Sequence, residues 1–456
     1  MMALPNSLRA DAERIWQAAI GAVDPQALLA GAPAELLGPL PAGRIVVVGA
    51  GKAAAGMAAG VEGLLAAAGF PAARLSGLVS VPEGCGRKLA SIEVRHTRPA
   101  GVNLPTDRVV TATAAMLAGL GRLGPDDLAI ALVTGGGSAL LAAPRDGLTL
   151  DDKIAVTRLL SAAGASIGEL NTVRRASSAV KAGGLARACT AGRLVVLVLS
   201  DVIGDPLDVI ASGPCMPTPA EPGDALDLLE AYGAIGAGVA PRLVASLRRD
   251  LAMARSRPSA PAGPNWQTAA GCCVSHRIVG NNDTAVEAAA AAARDLGYET
   301  VVRRAAPDTP APLNHAAAIG LRLAVEGSEL SARATRDGRP RAVIEGGEAT
   351  VVIPADHGRG GRNQQTVLAA VAAAANWPAG LLVASLGTDG EDGPTDAAGG
   401  VADAPVARML GADRAALGWA LARCDALPAL ERAAGLVRTG PTGTNVADVR
   451  IILARP

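Results

Sequence analysis

Three stretches of this chain are apolar without a break, and each stops at a turn. Arg44-Ile-Val-Val-Val48 runs into Gly49-Ala-Gly51, Leu128–Val133 into Thr134-Gly-Gly-Gly-Ser138, and Leu194–Leu199 into Ser200-Asp201. A strand that is apolar on both faces must be covered on both faces, which is the condition of a parallel sheet sandwiched by helices. Ala-rich helical stretches follow the turns, so the strands are joined by right-handed crossovers in a doubly wound α/β architecture. Only 2% of residues are aromatic against 50% hydrophobic, so Ala, Leu, Val and Ile must fill the cores.

At 456 residues the chain exceeds one ordinary core and fits two α/β domains with a functional cleft between them. The expected division is an N-terminal Rossmann-like domain over 1–250, a linker over 251–270 and a smaller C-terminal domain over 271–456. The linker is marked by the Pro/Gly/Ser-rich Ser256–Pro264. Beyond it, Thr284–Gly297 reads as a helix with Thr284 as its cap. Strands are expected at Ala342–Ile344, Ala349–Ile353, Gly380–Leu386 and Val449–Leu453.

Several function classes drop out. Lys and Arg total 42 and Asp and Glu total 42, with neither a basic stripe for nucleic acid nor an aromatic ladder for stacking bases. Six cysteines without a CxxC pair argue for reduced thiols in a cytoplasmic protein. The N-terminus meets charge within ten residues, and no apolar run is long enough to span a bilayer. Four histidines form neither an HExxH nor a zinc pattern, and no GxSxG elbow is present.

The turns at the strand ends carry what chemistry remains, because ligands of open α/β sheets gather there. Gly49-Ala-Gly51-Lys52 opens a helix, a geometry that lets backbone N–H groups and a lysine meet phosphate. It satisfies GxGxxA but not Walker A spacing, and Glu83 is a poor candidate for the ribose-binding acid of a dinucleotide site. The plainer reading is a tight turn with a solvated lysine. Gly135, Gly136, Gly137 and Ser138 form a second anion-binding candidate, since consecutive glycines are costly unless something must approach closely. Asn171, Arg174 and Lys181 follow on one helical stretch. Arg174 and Lys181 lie seven apart and share a face, for an anion or simply for solvent. Asp201 and Asp205, close before Ser212, supply hard oxygen ligands for Mg²⁺ or an Asx turn. Arg362 starts a helix within Gly358–Gln365, placed to neutralise phosphoryl charge. Asp389 lies in an Asp/Gly-dense loop that could bind metal or supply a base, and Thr442 and Asn445 lie in a last hydroxyl-rich loop.

Six segments in this order resemble the class II glycerate kinases with a C-terminal MOFRL domain. They are VVVGAGKAA (46–54), LVTGGGSALL (132–141), LSDVIGDPLDVIASGP (199–214), GRGGRNQQ (358–365), GTDGEDGPTDAAGG (387–400) and TGPTGTNVADV (439–449). The resemblance spans nearly the whole chain and places MOFRL at about 340–450. It implies an ATP- and Mg²⁺-dependent kinase that phosphorylates D-glycerate, or a close hydroxy acid, at the 2-hydroxyl. It makes Lys52 and Arg362 the catalytic cations; Asp389 from the loop reading is the third catalytic candidate, and the glycine, Asn171, Arg174, Lys181, Ser212, Thr442 and Asn445 positions are the candidates for binding. The partners implied are small molecules, without nucleic acid or membrane; a homodimer is allowed but not specified. Relatives also carry the label hydroxypyruvate reductase, so an NAD(P)H-dependent reductase and a catalytically divergent phosphate binder stand as alternatives. The chain departs from the family in two places. Arg95-His96-Thr97-Arg98-Pro99 replaces GHPxP, which makes Arg98 an extra cation. Arg174-Arg175-Ala176-Ser177-Ser178 and Lys181-Ala182-Gly183 replace RKHLS-x-x-KGG, which leaves Ala176 where the family has histidine.

Overall fold

The computed structural model describes residues 7–99, 102, 104–218, 221–253 and 263–456. Its first sheet contains β1 (Ile45–Ala50), β2 (Leu75–Pro82), β3 (Ile92–Arg98), β4 (Leu128–Thr134), β5 (Arg193–Leu199), β6 (Asn265–Gln267) and β7 (Cys273–Gly280). Their spatial order is β3-β2-β1-β4-β5-β7-β6. The pairings among β1 to β5 are parallel, and β6 runs antiparallel to β7 at the edge. Alternate residues explain the unbroken apolar runs. Val46, Val48, Ala131 and Val196 join one core with Val109, Ala112 and Met116 of the helix Asp107–Leu120. Ile45, Val47, Ile130 and Leu197, which point the other way, are equally buried.

The second sheet contains β8 (Glu299–Arg303), β9 (Arg341–Gly347), β10 (Leu381–Gly387), β11 (Gly399–Ala402), β12 (Leu436–Val437) and β13 (Asp448–Ala454). Its order is β12-β11-β10-β13-β9-β8, with only β8 and β9 parallel. The helices Ala316–Asp337 and Arg362–Ala373 pack on it.

The chain divides into two compact units that differ from the expected domains at both ends. One is Leu28–Val279; the other joins Met1–Ala27 to Gly280–Pro456. The N-terminal helix Leu8–Ala22 therefore belongs with the C-terminal residues. Its Ile15, Trp16 and Ala19 are buried, and it packs along the helix Asn282–Asp295. Its Asp11 accepts a hydrogen bond from the Tyr298 hydroxyl at 2.5 Å and pairs with Arg455. Much of the Ser256–Pro264 linker lies outside the described residues, whereas Asn265–Gln267, inside the expected 251–270 linker, is strand β6.

Two local expectations shift. The helix expected from Thr284 starts at Asn282, with Asn281 as its cap and Thr284 completing the capping box. Ala349–Ile353 forms no strand. Gly347, at φ +143, ends β9, and Thr350 makes only an isolated bridge with His315. Ala349 still reaches the core and Val351 packs against it, but Val352 is left 77% exposed. Replacing Ile15→Ala is expected to cost about 2–5 kcal/mol. Hydrogen exchange should show lost protection first in β9, β10, β13 and the helix Asn282–Asp295.

Candidate active site

Strand order in the first sheet reverses between β1 and β4, whose crossovers leave in opposite directions. Such a reversal opens a crevice at the carboxyl ends of the two strands. Here both strands end in the glycine turns singled out above. Gly51 stands at φ +138; a Cβ on it would meet Thr134 Cγ2 at 2.4 Å and the Thr134 carbonyl at 2.7 Å. On Gly49 a Cβ would come within 2.8 Å of the Leu132 carbonyl. These two glycines let one strand end abut the other. The Lys52 N–H donates to the Gly135 carbonyl at 3.0 Å, and the Lys52 stem lies against Gly136, its Cγ 3.7 Å from where a Gly136 Cβ would stand. Gly136, left-handed at φ +75, starts the short helix Gly137–Leu140 that carries Ser138.

Beside this turn lies a cavity of about 210 Å³, far more than the roughly 10–15 Å³ one water needs. Four basic residues line it: Arg98 from β3, Lys153 from the helix Leu150–Ala162, Arg174 from the helix Ile167–Ala176, and Lys181. Among the described lining residues none is acidic. Burial lowers the affinity of Arg174 for its proton and drives Lys181 well below the usual lysine range, with Lys153 and Arg174 pushing Lys181 the same way. Lys153 falls to about 7, from burial first and from the Arg174 charge second. The neighbouring Arg175 points elsewhere and pairs with Asp208 at 3.4 Å.

Arg174 and Lys181 do not share a helix, as their spacing had suggested. The helix stops at Ala176 with Ser177 as its C-cap, and Ser178 bridges to Pro144. Both side chains nevertheless reach the same cavity. Lys181 uses all three of its N–H groups there, donating to the Ser138 carbonyl (3.1 Å), Ser138 Oγ (3.1 Å) and the Ala211 carbonyl (3.0 Å). The chain of hydroxyls continues from Ser138 Oγ to Ser212 Oγ (3.1 Å), and Ser212 Oγ donates to Asn171 Oδ1 (2.9 Å). Lys181, Ser138, Ser212 and Asn171 are thus a framework holding three loops together. It holds them against strain: Ala182, Ala211 and Ser212 all have positive φ, a backbone state costing about 1–2 kcal/mol per non-glycine residue. Ala182 occupies a place where the family motif has glycine. Ala176 sits in the apolar cluster with Val173, Leu229 and Leu243, and only its carbonyl takes a polar partner, Arg145.

Asp201 and Asp205 follow β5, Asp205 at φ +54. Among the described residues no group of three or more His, Cys, Asp or Glu is arranged around a metal. Two carboxylates still fit Mg²⁺, which commonly takes one or two protein carboxylates and completes its shell with water and phosphate. Glu83 follows β2 and pairs with Arg108 at 2.9 Å, so the weak candidate for a ribose acid is already engaged.

The remaining candidates belong to the other unit. Arg362 opens its helix in a bidentate pair with the fully buried Asp448 (2.8 and 2.9 Å) and reaches Glu348 at 3.1 Å. Arg362 and Arg450 hold the Asp448 carboxyl below the usual range against the opposing effect of burial. Asp392 accepts the N–H groups of Asn363 and Gln364, while burial and the nearby Asp448 push it up to about 6. Thr442 donates its hydroxyl to the Thr388 carbonyl (2.6 Å) and its N–H to the Asp389 carbonyl (3.2 Å). Asn445 accepts from the Ala447 N–H (3.3 Å). Asp389, Thr442 and Asn445 are thereby gathered where β10 ends and β13 begins.

Fold and site together define an α/β protein with a cavity lined by basic residues beside the strand-order reversal of its first sheet. Comparison with known proteins supplies the family. Residues 11–247 match the family described as "Domain of unknown function (DUF4147)", and residues 341–448 match the MOFRL family. An Agrobacterium vitis protein with a provisional hydroxypyruvate reductase name is 38% identical over 98% of this chain and 94% of its own length. The glycerate 2-kinase of Pyrococcus horikoshii is 32% identical over 90% of this chain and 87% of its own. The crystal structure of a Thermotoga maritima glycerate kinase superposes with a TM-score of 0.79 at 32% identity, covering 99% of this chain and all of that one. The chain belongs to the class II glycerate kinase family, which joins these two domains.

Lys153 is the site residue that sequence reasoning missed. Its signal was present: Lys153, Val156 and Leu160 fall on one buried helical stripe, where a lysine is out of place. Gly51→Ala is expected to destabilise the protein by roughly 3 kcal/mol through clash and positive φ. Asp448→Asn, which strips the buried pair from Arg362, should cost about 3–5 kcal/mol. Urea unfolding of each variant measures both.

Proposed function

We propose that the protein transfers the γ-phosphoryl group of ATP to the 2-hydroxyl of D-glycerate, or of a closely related hydroxy acid, in the cytoplasm. The observation that carries this reading is Lys52 lying against the Gly135–Ser138 turn at the strand-order reversal, next to a cationic cavity of small-molecule size. Phosphoryl transfer asks a protein mainly for positioning and charge neutralisation. Lys52 neutralises charge on the transferring group, and the backbone N–H groups of Gly136 to Ser138 face polyphosphate oxygens. Asp201 and Asp205 would hold Mg²⁺, whose chemistry when bound is to draw charge from the phosphate oxygens. The 2-position follows from the likeness to the Pyrococcus horikoshii relative.

A reductase reading draws on the Agrobacterium vitis name, but its dinucleotide fingerprint has only Glu83, half-exposed and paired with Arg108, to offer as the ribose acid. Coupled ADP release over glycerate, tartronate and related acids is the first test, with the product identified as 2- or 3-phosphoglycerate. NAD(P)H consumption with hydroxypyruvate in the absence of ATP would reverse the assignment. Lys52→Ala is expected to lower kcat roughly 100-fold or more; near wild-type turnover would remove Lys52 from the mechanism.

A further inference from the structure

Lys153 has no acidic partner in the cavity, yet it is only 8% exposed. Its Nζ donates to the Ser177 carbonyl (3.1 Å) and Ser177 Oγ (3.0 Å), and the Ser177 hydroxyl donates in turn to the Arg174 carbonyl (3.2 Å). Those are two acceptors for a group that offers three N–H bonds when charged. Lys181, by contrast, has all three placed on protein atoms. The groups facing Lys153 are Arg174 and Lys181 from the adjoining segments and Arg98 from β3. The hydroxyls of Thr157, Ser138 and Ser177 line the same space, and no carboxylate or histidine does among the described residues. Buried charges of one sign are stable only when a counterion joins them.

We propose that Lys153 binds the carboxylate of the hydroxy-acid substrate, and that the cavity admits small 2-hydroxy acids while rejecting the corresponding neutral alcohols. This assignment rests on the kinase reading for the identity of the acid, and on the cavity alone for its charge. The empty site suits a neutral amine: two N–H bonds go to Ser177 and the lone pair faces the cavity. An arriving carboxylate favours the ammonium, whose third N–H then points at it. Capture of the acid therefore carries a proton with it above pH 7, the value to which burial brings Lys153. The sign follows: the binding-competent charged form is abundant below pH 7 and is depleted above it, so affinity falls as pH rises. A hydroxyl in place of the carboxylate would leave the cations unmatched, and sites built around buried polar groups reject such analogues strongly.

Calorimetric titration of the full-length protein with D-glycerate, without ATP, at pH 6.5 and 8.5 tests the proposal. Wild-type affinity should weaken roughly 25-fold between the two, following the charged fraction of Lys153. Glycerol should not bind. Proton uptake, read from titrations in buffers of different ionisation enthalpy, should approach one per acid bound at pH 8.5. Lys153→Met should lose roughly 30-fold or more at pH 6.5. Lys153→Arg should retain binding and lose the pH dependence, which a merely structural lysine would not do. Absence of glycerate binding by the wild type, or equal binding by Lys153→Met, overturns the assignment. Failure of ADP release with this binding pattern intact would sink the kinase reading and still support the cavity as a carboxylate site.

Discussion

Between the ends of β1 and β4 there is no room for a side chain. The Gly51 Cα faces the Thr134 methyl and carbonyl at distances no Cβ could tolerate, and Gly49 is pressed in the same way against Leu132. Because the two turns touch, the Lys52 N–H can reach the Gly135 carbonyl. That bond sets the lysine against the second glycine turn. The cavity walls follow: the short helix Gly137–Leu140 places Ser138, Ser138 receives Lys181, and Lys181 ties in the strained segment at Ala211. One steric constraint at the strand reversal thus fixes the position of nearly every polar group in the candidate site.

The two units treat positive charge in opposite ways. In the unit that holds the second sheet, buried carboxylates meet cations directly. Arg362 is gripped by Asp448, and Glu345 receives Arg450 at 2.8 Å and Arg322 at 2.6 Å. Those groups keep their charge and brace β9 against β13. In the first unit, Lys153, Arg174 and Lys181 are gathered without an acid among them and their protons are weakened accordingly. A protein that needed only stability at that spot would gain from apolar replacements. The cost is intelligible if an anion is the missing partner.

Much of this was legible in the residues themselves. Unbroken apolar runs at Ile45–Val48, Leu128–Val133 and Leu194–Leu199 specify strands covered on both faces, and the turns after them are where the structure concentrates polar groups. The adjacency of β1 and β4 was not legible, since it depends on pairing across some eighty residues, and with it went the packing role of Gly49 and Gly51. Arg362 is legible as a cation at a helix start, but nothing local announces Asp448, 86 residues on, as its partner. Ala349–Ile353 has the composition of a strand but lies past the Gly347 turn, where Thr350 alone pairs, in an isolated bridge with His315. Lys153 escaped attention because a single lysine in an amphipathic helix passes for a solvent-facing one until its phase against Val156 and Leu160 is read.

The placement of the helix Leu8–Ala22 has a consequence for biosynthesis. Ile15, Trp16 and Ala19 leave the ribosome well before the helix that covers them, which begins at Asn282. At translation speeds of roughly 5–20 residues per second, the interval is on the order of tens of seconds. Throughout that time Leu28–Val279 is being completed while the apolar face of the helix Leu8–Ala22 waits without its partner. The interrupted unit can therefore close only after the helix Asn282–Asp295 has been made.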